Sequence, residues 1–240
     1  MKNIELLSFA TADELARAAA SAWLDTIEAA NRAGKLHRVA LSGGRITQKF
    51  FASTVEQNKT RAVSFANVHF FWADERCVPP THPDSNFKMA HELLFAPLSI
   101  AAEKIHRLRG EDSPAAAVQS AEAELRGVAV SFKNRQPVLD LILLGMGEDG
   151  HVASLFPGAG AEILDCASPF LVIENSPKPP PTRISLSYAA ITAAGETWVL
   201  ASGVGKEAVL RESLKPDGRT PLARVIRSRP VKLFSDLAGI

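Results

Sequence analysis

A carboxylate and an imidazole two residues apart, boxed by glycines, carry the strongest chemical signal in this chain. Gly145-Met146-Gly147-Glu148-Asp149-Gly150-His151 follows the apolar run Leu139–Leu144 and precedes a second apolar stretch, Val152–Phe156, closed by Pro157. The first run reads as a buried parallel strand. A strand that ends in a glycine-rich turn delivers its titratable groups to the carboxyl edge of a sheet, where open α/β sheets bind ligands. An unperturbed imidazole titrates at about 6.5, so His151 can work as a general base near neutral pH, with Asp149 beside it.

Three other turns could furnish the same edge. Ser42-Gly43-Gly44 lies between the strand His37–Leu41 and a helix running through about Val55. Its glycines allow close approach of backbone N–H groups, and a helix N-terminus favours an anion. It is neither a Walker loop nor GxGxxG, and a plain tight turn is the competing reading. Lys206 ends Ser202-Gly203-Val204-Gly205-Lys206, after the strand Trp198–Ala201 and at the start of a helix reaching Leu214. A cation there opposes the helix dipole unless an anion lies between. Arg183 follows three prolines and precedes the strand Ile184–Leu186. Two cations and a glycine turn with free amides suit a phosphate group. The fourth turn is Asp74-Glu75-Arg76, after the aromatic strand Val68–Ala73. Three consecutive charges most simply reach solvent, yet charge at a strand's carboxyl edge also furnishes active sites.

Other chemistries find little support. Ser154 sits in HVASLF and not in a G-x-S-x-G elbow, and Cys77 has no CxxC partner. His37, His82, His91 and His106 lack metal-site spacing, and His69 lies inside a strand, so no metal site is expected.

The remaining elements alternate. Thr11-Ala12-Asp13-Glu14 is a capping box opening an alanine-rich helix through about Asn31. Asp84-Ser85-Asn86 caps a helix over Phe87–Phe95, Ser113-Pro114 starts another, and Phe170–Ile173 is a further strand. Strands alternating with helices predict an α/β fold: a doubly wound, mostly parallel open sheet, Rossmann-like, with helices on both faces. The Pro177–Pro181 patch is too short for a domain linker, so residues 1–240 are expected to form one domain.

The chain has 240 residues, is 46% hydrophobic and carries a net charge of +1 with acids and bases interspersed, which is no footprint for nucleic acid or a membrane surface. Its two cysteines suit reduced thiols. MKNIELLSFA is too short an apolar run for a signal peptide, and no segment nears the roughly 20 apolar residues that cross a bilayer. A cytoplasmic protein is the expectation.

Together these segments resemble the 6-phosphogluconolactonases. The matching pieces are LSGG (Leu41–Gly44), WADERCVP (Trp72–Pro79), DSNFKMAHELLF (Asp84–Phe95), LDLILLGMGEDGHVASLFP, TRISLS (Thr182–Ser187) and SGVGK, spanning about residues 5 to 235. The resemblance implies hydrolysis of 6-phospho-D-glucono-1,5-lactone to 6-phosphogluconate, no cofactor, a sugar-phosphate lactone as partner, a monomer or weak homodimer, and a fold shared with glucosamine-6-phosphate isomerases. By the same likeness His151 is the catalytic histidine, and Asp149 orients it or its loop. Ser42, Gly43, Gly44, Arg183 and Lys206 match phosphate-cradling positions, and Asp74, Arg76 and Asn86 the ring-facing set. One departure stands out: the family commonly reads SGGSTP where this chain has Arg45-Ile46-Thr47, so Arg45 either supplies charge or points away. Two rivals are an isomerase or deaminase acting on glucosamine 6-phosphate and a non-catalytic sugar-phosphate-binding module. The isomerase-type relatives place a glutamate five residues after the histidine, where this chain has Phe156. A binding module has no need of His151 or the acids.

Overall fold

The structure is a computed structural model that describes residues 3–239. The chain runs β1 (Ile4–Ser8), α1 (Ala12–Arg32), β2 (His37–Leu41), α2 (Arg45–Arg61), β3 (Val68–Trp72), β4 (Asp74–Arg76) and α3 (Asn86–Ala90). It continues with α4 (Pro114–Val128), β5 (Phe132–Lys133), β6 (Gln136–Pro137), β7 (Leu141–Gly145), α5 (Ala161–Leu164), β8 (Phe170–Ile173) and β9 (Arg183–Leu186). The last elements are α6 (Tyr188–Ala193), β10 (Glu196–Ala201), α7 (Glu207–Leu214), α8 (Pro221–Ser228) and β11 (Val231–Ser235). The capping box forms as its residue types require: the Thr11 hydroxyl accepts from Glu14 N–H at 3.2 Å, and the Glu14 carboxylate accepts from Ala10 N–H at 3.0 Å.

Six strands make one parallel sheet in the order β1-β11-β10-β7-β2-β3. Every residue of β2 is buried, so both faces of the sheet are covered there. From β2 the chain moves to β3 on one side, then returns to β7 on the other and works outward through β10 and β11. The order therefore reverses between β2 and β7, which is where a ligand crevice opens in such sheets. The β2–β7 register covers only Val39↔Leu141 and Ala40↔Ile142, so the carboxyl ends part early. The freed carbonyl of Leu143 accepts from the Ser42 hydroxyl at 2.8 Å.

Two expectations are corrected. Phe170–Ile173 and Ile184–Leu186 do not join the parallel sheet; β8 and β9 form a separate antiparallel sheet with β4, in the order β4-β9-β8. The physical reason is the connection between them, residues 174–182, which is too short for the dozen or so residues of a parallel crossover. Asp74-Glu75-Arg76 likewise does not run out to solvent: it is β4 itself, paired to β9, with Asp74 and Glu75 buried.

Around α1 and α2, Trp23 packs on Phe50, Phe65 and Phe70 and donates its indole N–H to His37 Nε2 at 3.2 Å. Burial lowers the His37 imidazole to about 4. An unfolded histidine titrates near 6.5, so on acidification the unfolded chain takes up the proton first. The stabilisation is complete above about pH 6.5 and is lost as pH falls toward 4, by about 3 kcal/mol in all. His37→Gln keeps an acceptor for Trp23 and removes the titration. Chemical denaturation between pH 7 and 4.5 is expected to show a shallower loss of stability in the variant, and an unchanged slope contradicts this role.

Candidate active site

The crevice lies where topology puts it, over the carboxyl ends of four neighbouring strands. It has a volume of about 140 Å³ and is walled by the turn after β2 (Ser42–Ile46), the turn after β7 (Gly145–Gly147 and His151), Asp74 and Arg76 of β4, Arg183 of β9, and Ser202 and Lys206 after β10.

His151 is fixed from two sides. Its Nδ1 lies 2.5 Å from Asp149 Oδ1, and its backbone N–H donates to the same oxygen at 3.2 Å. A carboxylate that accepts at Nδ1 leaves Nε2 as the unprotonated nitrogen, the arrangement a general base requires. The ring also rests on bare backbone: a Cβ added to Gly147 would come within 2.0 Å of Nδ1 and Cε1 of His151. Phe156 packs against the imidazole with ring centroids 4.7 Å apart. Burial pushes the imidazole below its ordinary value, and the bond to Asp149 recovers only part of this; the nearby charge of Lys178 pushes further down. Burial raises the Asp149 carboxyl, but the bond to His151 outweighs it and the net direction is down. At neutral pH the pair is a carboxylate holding a neutral imidazole.

The cations fall into two groups. Arg45 and Lys206 converge on the turn after β10: a Cβ at Gly203 would lie 3.6 Å from Lys206 Cε and 3.9 Å from Arg45 Nη2. Burial and the adjacent Arg45 both lower the Lys206 ammonium, which donates to the Met146 carbonyl at 2.6 Å. Arg45 is the first residue of α2, whose cap residue Gly44 offers no side-chain bond and whose first turn has no acid, so its amides are free for an anion. Arg45 thus brings charge to the crevice. The second group is Arg76 and Arg183, which face each other across the β4–β9 ladder. Arg76 Nη1 donates to the Asp84 carbonyl at 2.7 Å, while its buried Nε has no partner. Arg183 lines the same crevice as Lys206, stands in register with Arg76, and spends donors on the carbonyls of Lys178, Pro179 and Pro180 at 2.9 to 3.1 Å. Its guanidinium also sits 5.7 Å over the Phe156 ring.

Asp74 is buried and held: Ser154 Oγ donates to its Oδ2 at 2.6 Å, and Asn86 Nδ2 donates to its backbone carbonyl at 2.9 Å. Asn86, expected among the ring-facing residues, lies behind the crevice instead. It is buried, and its amide fills the space where a Cβ on Gly43 would stand, only 2.0 Å from its Oδ1. It shapes the turn from beneath. Glu75, also buried, accepts from the backbone N–H groups of Arg76, Asn86 and Phe87, each at 2.8 Å, and from the Ser85 hydroxyl at 3.1 Å. Burial raises its carboxyl despite these donors. Among the described residues no cluster of three or more histidine, cysteine or acidic side chains is placed to hold a metal ion.

Sequence reasoning passed over three residues behind the site: Ser154, which holds Asp74; Glu75, which holds the start of α3; and Lys178, whose charge reaches His151. Ser154 lies three residues beyond His151 in a bridged turn (Val152↔Leu155), a spacing that could have flagged it. Glu75 carries no local signal, because three of its four donors come from residues ten to twelve positions away.

The chain matches known proteins along nearly all its length. A family model described as glucosamine-6-phosphate isomerases/6-phosphogluconolactonase covers residues 10–234. A 6-phosphogluconolactonase of Treponema pallidum is 35% identical over 212 residues, 87% of this chain and 86% of the relative. A chloroplastic 6-phosphogluconolactonase of Arabidopsis thaliana is 35% identical over 192 residues, 77% of this chain, and the match spans 58% of that relative's length. The solved 6-phosphogluconolactonase of Trypanosoma brucei superposes with a TM-score of 0.84 at 28% identity, covering 95% of this chain and 94% of that one. With this fold, and with the histidine, acid and cations around one crevice, the chain belongs to the glucosamine-6-phosphate isomerase/6-phosphogluconolactonase family, among its 6-phosphogluconolactonases.

Proposed function

We propose that this chain hydrolyses 6-phospho-D-glucono-1,5-lactone to 6-phospho-D-gluconate, the oxidative pentose phosphate step its family resemblance implies. The observation that carries the reading is the neutral imidazole of His151, locked by Asp149 and presented to a crevice with cations at both ends. The Arg45–Lys206 end, with the free amides of α2, takes the phosphate. This sets the lactone carbonyl between His151 and Arg76, so that binding energy from the remote phosphate positions the reacting carbon.

His151 Nε2 removes a proton from water as the oxygen attacks C1, and Asp149 stabilises the imidazolium that forms. Negative charge developing on the carbonyl oxygen meets the guanidinium of Arg76 at the wall of the crevice. As the tetrahedral intermediate collapses, the C1–ring oxygen bond breaks and the imidazolium returns its proton to that oxygen. The reaction balances with water alone and needs no electron or group carrier. Asp74, fixed by Ser154, is left to bind ring hydroxyls. Every group invoked lies between residues 42 and 206, which fits one functional domain over 1–240. A cytoplasmic location fits the two unpaired thiols. Among the described residues no helix is long and apolar enough to cross a membrane.

The isomerase reading requires a second proton carrier beside the histidine. Phe156 occupies the place of the relatives' glutamate, packed on the imidazole, and it carries no proton. The binding-module reading leaves unexplained a histidine held in base-competent form.

Freshly prepared 6-phosphogluconolactone, with acid release compared to the spontaneous rate, tests the activity. Lys206→Ala is expected to raise KM for the phosphorylated lactone by roughly 10- to 100-fold, the worth of a charge-assisted contact of about 1.5–3 kcal/mol, and to leave the already poor turnover of unphosphorylated gluconolactone nearly unchanged. Equal use of both lactones by the parent protein contradicts the phosphate assignment. Gly147→Ala forces the imidazole off its seat, and kcat/KM is expected to fall about 10²-fold with the fold retained by circular dichroism. Full activity in this variant contradicts the positioning of His151 by bare backbone.

A further inference from the structure

A second cavity, larger than the crevice, serves no step of this reaction. It encloses about 800 Å³ between α4, the β5–β6 hairpin, the segment 165–168, α6 and α8, a volume typical of small-molecule sites. Arg126, Arg135 and Arg224 line it. Arg224 stacks 4.9 Å over the Tyr188 ring and donates to the Leu164 carbonyl at 2.8 Å, which brings its charge to the segment carrying Cys166. Arg126 is paired with Glu122 at 2.8 Å, and Arg224 more loosely with the exposed Asp165 at 3.5 Å. Arg135 has no carboxylate partner among the described residues, so positive charge is left over. Gln136, 3% exposed, is also in the wall: its amide nitrogen donates to the Ala167 carbonyl, and its buried amide oxygen has no donor. Cys166 completes the wall as a free, half-buried thiol whose one polar contact is a long 3.9 Å approach to the Ser168 carbonyl.

We propose that this cavity binds a small anionic disulfide, of the glutathione disulfide type, and that Cys166 exchanges with it to become a mixed disulfide. Guanidinium groups match the carboxylates of such a peptide in bidentate fashion. The Cys166 thiolate attacks one sulfur of the disulfide. A new S–S bond forms as the old one breaks, and the other half leaves as a thiolate that takes up the proton Cys166 lost. The protein sulfur is oxidised and the departing half reduced, with no outside oxidant. Cys77 serves as the internal reference, since burial and the neighbouring Glu75 push its thiol up.

The test incubates the protein at pH 8 and low salt with glutathione disulfide or with the dicationic disulfide cystamine, following each thiol by intact mass and peptide mapping. Glutathione disulfide is expected to modify Cys166 at least about 10-fold faster than cystamine. The preference should shrink with added salt, collapse toward equal rates in an Arg135→Ala/Arg224→Ala variant, and be absent at Cys77. Lactone turnover, which uses neither arginine, reports that the variant is folded. Equal or faster modification by cystamine in the parent protein, or a preference that survives loss of both arginines, overturns the proposal.

Discussion

Strands β2 and β7 pair over two residues and then separate, and the Ser42 hydroxyl closes the gap by donating to the Leu143 carbonyl at 2.8 Å. The seam lies where the strand order reverses, so the two glycine-rich turns that follow face each other across an opening. One turn exposes the amides at the start of α2; the other carries Asp149 and His151. Neither turn alone makes a site. The neighbouring strand ends of β3 and β10 add the acid and cations, because a parallel sheet delivers all its carboxyl ends to one edge.

Electrostatics then separates the crevice into parts with different work. Two unit charges about 4 Å apart interact by about 4 kcal/mol at the effective dielectric of a protein surface, against about 1 kcal/mol in bulk water. Cations gathered around a half-buried opening therefore raise its affinity for an anion, and the Lys206 ammonium is lowered first by burial and then by the adjacent Arg45. The same burial keeps His151 neutral, and the ionised Asp149 waits to stabilise the imidazolium once it forms. On the proposed reaction, phosphate binding and proton abstraction need opposite electrostatic conditions, and the two ends of the crevice differ in that sense.

The parts legible in the sequence were those fixed by local chemistry. Thr11 and Glu14 cap α1 as their spacing requires, and four polar turns after four apolar strands predicted the shared edge correctly. Partnerships set by distant chain were not legible. The pairing of Arg76 with Arg183 arises from an antiparallel ladder that periodicity cannot distinguish from one more parallel strand. Asn86 looks like a ligand residue in sequence, and only its contact with Gly43 shows that it supports the turn from behind. Glu75 is buried because three backbone N–H groups converge on it, two of them from the start of α3. The outer strands β1 and β11 escaped notice for a related reason: each is a five-residue run with a charge inside it, stabilised by its neighbour.

The central claim is that His151 acts as the base and does not merely bind. Steady-state turnover of 6-phosphogluconolactone by His151→Ala, measured together with the affinity of the variant for the product 6-phosphogluconate, separates these roles. The account predicts that kcat falls by about 10²-fold or more while product affinity stays within a few-fold of the parent, since the phosphate is held at the far end by Arg45, Lys206 and α2. A variant that keeps most of its turnover, or that loses product affinity in step with kcat, would contradict it.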